Sequence, residues 1–395
     1  MNFFRQLGTL IAFNIRTLPA RKGSAAVAIV GVAGVVAVLV GVLSIGEGFK
    51  RVMIAAGSPD TAIVLRGGAD SEMTSVLTRD DVELVRNAPT VARASGEPLA
   101  SPELFVLVDL PKRSTGTEAN VPMRGVRKEA FAVRPEIQVV EGKMFAWGTN
   151  EVIVGRSAQT QFKNTEVGTL LKFGQTQWKV VGIFEGKGGI AESEVWADAA
   201  VLAPAYHRGS SFQAVLVKLA SAGSFQQFKD SLTSDPRLNV KVERETDYYA
   251  GQSKAMQGLV TGLAFVVCTL MGLAAIFGAL NTMYTAVAAR SRDIATLEAL
   301  GFGGGAVMIS VMFEALFLSL VGGILGSVGA YLAFNGYRSA TMNWQTFSQV
   351  AFAFQVTPNL MIGAIVYALF IGVVGGFFPA IKAARIPVAV ALRER

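Results

Sequence analysis

The chain has one cysteine and one histidine in 395 residues. Cys268 cannot close an intrachain disulfide and lies inside an apolar run, so a water-facing domain here has to hold together by its own core. His207 has no His or Cys companion at metal-ligand spacing, which removes zinc-type centres and leaves it reading as a satisfied surface residue. Charged residues make up only 16% of the chain, against about 25% in soluble domains. No G-x-x-x-x-G-K-[ST] loop occurs, so these residues carry no phosphate cradle of that kind. No serine has a supporting His and Asp, and no catalytic residue is nominated; the chain does not read as an enzyme. A basic stripe with interleaved aromatics is also missing, so the formal net charge of +7 does not point to nucleic acid.

What is abundant is apolar residue, 51% of the chain, gathered into four runs. Ala25–Ile45, Gly258–Met283, Ala306–Phe334 and Leu360–Ile381 each exceed the ~18 residues that mark a membrane span. The first reads as a retained span and not as a signal peptide, because its charged leader and its apolar run are both too long. The fourth follows Thr357-Pro358 and stops at Pro379, both helix punctuation. Lys and Arg set the orientation. Arg5, Arg16, Arg21 and Lys22 precede the first run, Arg290 and Arg292 separate the second from the third, and Lys382, Arg385, Arg393 and Arg395 follow the fourth. The loop between the third and fourth holds only Arg338. Both termini are therefore expected in the cytoplasm, and the charge-rich stretch from Lys50 to Lys254 outside it. Phe3–Leu18 mixes Phe4, Leu7 and Ile11 with Arg5 and Arg16, and reads as an interfacial helix on membrane lipid.

The expected fold is thus an integral membrane α-helical protein, with four transmembrane helices and a large extracytoplasmic α/β domain. Strand signals fall at Thr61–Leu65, Glu151–Val154, Leu170–Phe173, Trp178–Phe184, Ala214–Lys218 and Asn239–Glu243. Helix signals fall at Arg79–Ala88, capped by Thr78, and at Ser224–Leu232. Each end of the domain reads strand–helix–strand and its middle reads mostly strand, as if a β-rich part were inserted into an α/β one. Gly182–Gly189 reads as a turn-rich hairpin tip. Trp147, Trp178 and Trp196 read as core, with a ligand cleft as the rival. Gly301–Ala306 imitates a dinucleotide fingerprint but follows no strand. Glycines stand four apart at Gly258 and Gly262, Gly322 and Gly326, Gly372 and Gly376, a spacing that suits helix packing within the chain or against a second copy. Glu314 is the one acid inside a span; it either snorkels to the cytoplasmic surface, pairs with Arg290 or Arg292, or is a functional intramembrane acid.

The stretch Asn281–Gly301, NTMYTAVAARSRDIATLEALG, resembles the cytoplasmic loop of the MacB/FtsX-type ABC transporter permeases. So does Glu314 followed by Ser319–Gly323, and the ending Phe378–Val388, FPAIKAARIPV, with Leu392 and Arg393. Asn150–Gly155 and Val180–Phe184 are similar to strands of that family's external domain. Glu298 departs from the pattern, since the family often carries a basic residue there.

The resemblance implies a type VII membrane subunit without a fused ATPase domain, working as a homo- or heterodimer with an ABC ATPase that holds ATP and Mg. It implies an order of parts: interfacial helix 1–22, span 23–48, external domain 49–254, span 255–284, coupling helix 285–304, span 305–336, external loop 337–357, span 358–381 and tail 382–395. Within the external domain it implies porter-like parts at about 58–103 and 211–246, and a β-rich insert at about 104–210. Arg290, Arg292, Asp293, Ile294, Leu297 and Glu298 would seat in the ATPase. Ile294 and Leu297 share a face with Val287 and could fill a groove, while the charges beside them would set partner choice. ATP-driven motion would pass to the external domain by mechanotransmission, with location in the inner membrane. The expected outcome is efflux of a small molecule or peptide through a periplasmic adaptor and an outer-membrane channel. Extraction of lipid or lipoprotein from the outer leaflet, and regulation of a cell-wall hydrolase, remain open.

Overall fold

The computed structural model describes residues 3–17 and 22–387. Arg21, Arg393 and Arg395 of the charge pattern, and the tail from Val388 onward, lie outside the described residues. The chain divides into two compact units: Met1–Glu47, Leu259–Tyr337 and Phe354–Arg395 form one, and Gly48–Gly258 with Arg338–Ala353 form the other.

Among the described residues, four helices in the first unit are long and apolar enough to cross a membrane, two of them continuing into the second unit: Lys22–Ala56, Glu245–Ala289, Gly304–Phe334 and Pro358–Ala383. They are called spans 1 to 4. Span 2 has 45 residues, or about 68 Å at 1.5 Å per residue, roughly twice the ~30 Å hydrocarbon core. Its helix, like that of span 1, therefore runs far beyond the uncharged run, and the sequence boundaries 48/49 and 254/255 fall inside continuous helices. Span 4 opens on Thr357, whose hydroxyl accepts from Leu360 N at 3.3 Å, with Pro358 at the first helical position, where its missing N–H costs nothing. The amphipathic helix Phe3–Thr17 buries Leu10 in a cluster with Val287, Val307, Val311 and Ala380.

The second unit is built on one ten-stranded sheet: β1 (Thr61–Arg66), β2 (Ala100–Pro111), β3 (Glu118–Val126), β4 (Gln138–Gly142), β5 (Glu151–Gly155), β6 (Leu170–Phe173), β7 (Thr176–Glu185), β8 (Val195–Asp198), β9 (Ala214–Lys218) and β10 (Val240–Arg244). The order is β10-β1-β9-β2-β3-β8-β5-β7-β4, with β6 also on β7. Strand β2 changes partner midway: Ala100–Glu103 pair with β9, and Leu104–Pro111 with β3. The β-rich middle is thus a continuation of the same sheet through one shared strand. Period-two alternation sends Val152 and Val154 to one apolar cluster and Ile153 to another, with Trp196 and Phe184, so the sheet is covered on both faces there. Thr78 and Asp81 close a reciprocal capping box at 3.2 and 2.8 Å before the helix Arg79–Arg86. The helix Phe225–Thr233 buries Phe225, Phe228 and Leu232.

Two expectations need correcting. Gly182–Gly189 is no hairpin tip, because β7 and the following β8 are not neighbours in the sheet. The segment bends so that Gly186 N and Gly188 N donate to the Glu192 carboxylate at 2.9 and 2.7 Å. The stretch 337–357, written as a loop, holds a hairpin of β11 (Arg338–Asn343) and β12 (Ser348–Ala353) within the α/β unit. Ala351 N donates to Ser193 Oγ at 3.0 Å, Asn120 Nδ2 to Phe347 O at 3.1 Å, Gln161 Nε2 to Ser339 O at 3.2 Å and Asn343 Nδ2 to Gln252 Oε1 at 2.7 Å.

Arg124 stands at the centre of a buried charge cluster in this unit. Its Nε and Nη2 grip Glu194 at 2.7 and 2.8 Å, its Nη1 reaches Glu72 at 2.5 Å and Glu103 at 2.9 Å, and all four residues are 3% exposed or less. Glu103 also pairs with Arg134, whose guanidinium lies 4.6 Å above the Trp196 ring. Burial pushes the Glu103 carboxyl up, but Arg134 and Arg124 more than offset it and hold it below its ordinary value.

Candidate ATPase-coupling site

Between spans 2 and 3 the chain makes the short helix Ser291–Ala299. It ends because Gly301 takes φ +90°, a conformation that costs glycine little. Phe302 N then donates to Leu297 O at 3.1 Å and Gly301 N to Glu298 O at 3.0 Å, a Schellman closure. That turn, and no nucleotide, accounts for the glycine-rich Gly301–Ala306.

The helix uses its apolar face inward. Ile294 is 7% exposed and packs with Met283, Val287, Val307 and Val311; Leu297 and Phe302 lean on the same cluster. Ile294 is thus turned inward, while Leu297 stays half-buried at the edge of that cluster. Arg292, Asp293 and Thr296 are exposed instead, and Leu300, at the helix end, is 73% exposed. Leu300 is the apolar residue that sequence reasoning missed. Its signal was present: it lies next to the αL glycine, where a side chain leaves the packed face. Glu298 is half-buried, and burial pushes its carboxyl up.

Arg290 also turns inward. Its Nη2 meets Glu314 Oε2 at 2.6 Å, with Arg290 8% and Glu314 3% exposed, and its Nε donates to Ala286 O at 3.4 Å. The cation sits at the C-terminal end of span 2, where the helix dipole favours it. The pair fixes the loop helix against span 3, so Glu314 has the pairing role with Arg290 available to it. Glu314→Leu would remove this carboxylate from a buried guanidinium and is expected to destabilise the chain by about 3–5 kcal/mol, most of it recovered in Arg290→Met/Glu314→Leu. Thermal unfolding of the purified chain measures both. No recovery in the double variant would mean that the pair is not the interaction being lost.

The glycine pairs divide. A Cβ on Gly322 would lie 2.9 Å from Ile29 O, and one on Gly326 2.9 Å from Ala33 Cα, so spans 1 and 3 approach backbone to backbone. Gly372 packs on the Ser319 side chain and Gly376 on Ala315 Cβ, both of span 3. Gly258 and Gly262 meet nothing within 4 Å among the described residues. Trp178 and Trp196 are fully buried, and Trp147 stands edge-on to Phe145 at 4.9 Å, which is core packing. Among the described residues no group of His, Cys, Asp and Glu could hold a metal.

The chain thus combines four candidate membrane helices, a short helix between the second and third of them, and one large mixed α/β unit. A family model described as the MacB-like periplasmic core domain matches residues 25–235, and one described as the FtsX-like permease C-terminal matches residues 265–388. The chain belongs to the MacB/FtsX-type permeases. It is 27% identical to the pyoverdine export ATP-binding/permease protein PvdT of Pseudomonas entomophila, over 92% of this chain and 56% of that one. It is 24% identical to the macrolide export ATP-binding/permease protein MacB of Pasteurella multocida, over 99% and 60%. The chain thus spans a little over half the length of these relatives. Among solved structures, the periplasmic region of MacB from Actinobacillus actinomycetemcomitans aligns at a TM-score of 0.36 and 12% identity, covering 49% of this chain and 92% of that one.

Proposed function

We propose that the chain is the permease subunit of an ABC exporter-type machine of the inner membrane. It carries the ATP-driven motion of an ABC ATPase to its α/β domain, and so drives efflux of a small molecule or peptide. The observation that carries this reading is the loop helix: its apolar face is locked to the spans, while Arg292, Asp293, Thr296 and Leu300 face outward. A helix held on one side and open on the other can pass a push from a docked partner into spans 2 and 3. Span 2 belongs to one continuous helix, Glu245–Ala289, whose first residues up to Gly258 are part of the α/β unit. In this reading ATP and Mg are held by the ATPase. The names of the relatives, pyoverdine export and macrolide export, favour a small exported molecule over a lipoprotein or a regulated hydrolase. In this reading two permease copies act together, both termini lie on the ATPase side, and a periplasmic adaptor and outer-membrane channel complete the path.

The test is recovery of the ATPase with the tagged chain from native membranes. Leu300→Asp with Arg292→Glu is expected to weaken ATPase retention by about 30-fold or more, as for loss of an interface anchor worth about 2 kcal/mol, with the permease itself still monodisperse. Undiminished recovery would remove this face as the docking site. A co-purifying adaptor supports efflux, and a lipoprotein carrier or a cell-wall hydrolase in its place would redirect the reading.

A further inference from the structure

Six carboxyl and guanidinium side chains that are 4% exposed or less meet in the α/β unit: Glu72, Glu103, Glu194 and Glu245, with Arg124 and Arg134. Four acids face two bases, so full ionisation would leave two uncompensated negative charges away from water, a costly state. The two guanidiniums are taken by Glu72, Glu103 and Glu194. Glu245 makes no ion pair among the described residues; its Oε2 accepts from Ser58 N at 3.2 Å.

Glu245 sits at a joint. It is the first residue of the long helix of span 2, and Ser58 lies just past the end of the long helix of span 1. A Cβ on Gly57 would lie 2.8 Å from Thr246 N and Cα, so the end of one helix touches the start of the other backbone to backbone. The cavity lined by Glu245, Ala55, Ala56, Arg134, Gly189 and Tyr249 measures about 10 Å³, near the minimum that admits one water.

We propose that Glu245 is a proton-binding latch. With the carboxyl neutral the Gly57–Thr246 contact stays closed, and on ionisation the carboxylate is driven toward water and the contact opens. The α/β unit thereby senses pH at the place where the two long helices meet end to end within it. The groups that face Glu245 are Arg134 and Glu136 from the stretch before β4, Glu103 from β2, Glu194 ahead of β8 and Tyr249 one turn along its own helix. The helix of span 1 presents only Ala55 and Ala56. Burial pushes Glu245 up to about 7; Arg134 and the Ser58 amide pull it down, while Glu136 and Glu103 push it up. Tyr249 stays neutral, because burial, then Glu72 and Glu245, drive its phenol well above the ordinary value.

The sign follows from linkage. The closed state holds a proton that the open state, near the ordinary 4.5, releases earlier. Closure is therefore favoured fully below that value and the preference is lost as pH rises through about 7. The experiment is backbone hydrogen exchange on the full chain in lipid nanodiscs at pH 6 and pH 8, corrected for the intrinsic rate. The amides of Gly57, Ser58 and Asp60 and of Thr246–Tyr249 are expected to open about tenfold more at pH 8. Glu245→Gln removes that difference and Glu136→Gln keeps it. Equal protection at the two pH values in the unmodified chain overturns the proposal, and so does a difference that survives in Glu245→Gln. Should Glu245→Gln not fold, the unmodified chain alone still decides. No ATPase enters the measurement, so its outcome is independent of the function proposed above.

Discussion

An Arg124→Met chain is expected to lose the folded α/β unit. The substitution keeps length and apolar volume but leaves Glu72, Glu103 and Glu194 facing one another at 3%, 0% and 2% exposure. Breaking a buried ion pair costs about 3–5 kcal/mol because the remaining charge stays unsolvated, and here three carboxylates lose the same cation at once. Native domains have only about 5–15 kcal/mol to lose. Arg124→Lys keeps the charge but cannot hold Glu194 by two parallel bonds while also reaching Glu72 and Glu103, so it should fall between. Trp178 and Trp196 are both fully buried, so tryptophan fluorescence during denaturant unfolding reports the outcome. An unmodified midpoint in Arg124→Met would show that the cluster rearranges or takes up protons at little cost.

The second large effect is steric. Gly326→Leu is expected to separate spans 1 and 3. The first atom added would stand 2.9 Å from both Ala33 Cα and Val36 Cβ and 2.5 Å from Ala33 O. Most of these neighbours are backbone of a packed helix and cannot swing aside, so the cost should reach or exceed the upper end of the ~1–3 kcal/mol usual for overpacking. Gly262→Leu is the control: with nothing within 4 Å, its effect on monomer stability should stay within about 0.5 kcal/mol. Thermal unfolding with size-exclusion chromatography reads both. A stable Gly326→Leu chain would mean that spans 1 and 3 are not tightly joined at Ala33. Loss of a larger oligomer in Gly262→Leu alone would place a second copy on the open face of span 2.

The spans were legible because a run of twenty residues without charge has few other readings. Thr78 was legible as a cap because a capping box is written within four consecutive residues. The direction of Ile294 and Leu297 was not. Apolar residues three apart mark one face of a helix whether that face packs inward or receives a partner, and only the cluster with Val287, Val307 and Val311 decides it. The charge cluster was hidden for a different reason. Arg124 is 52, 21 and 70 residues from Glu72, Glu103 and Glu194, so no local pattern links them. A clue did exist: Arg124 and Glu103 interrupt strands that are otherwise buried, and a charge in such a place has to be paired.

The hairpin Arg338–Ala353 has a consequence for how this protein is made. It completes a unit whose other residues, Gly48–Gly258, leave the ribosome well before it, with all of Leu259–Tyr337 synthesised in between. Until the third span has been translated, Ser193 Oγ, the Asn120 and Gln161 side-chain amides and Gln252 Oε1 wait for Ala351, Phe347, Ser339 and Asn343. The nascent α/β domain therefore passes through an incomplete stage whose length is set by membrane insertion, the stage at which a chaperone or protease would act on it. For the same reason Gly48–Gly258 is not a cassette. A graft of it onto another permease would have to bring along a hairpin encoded two spans later.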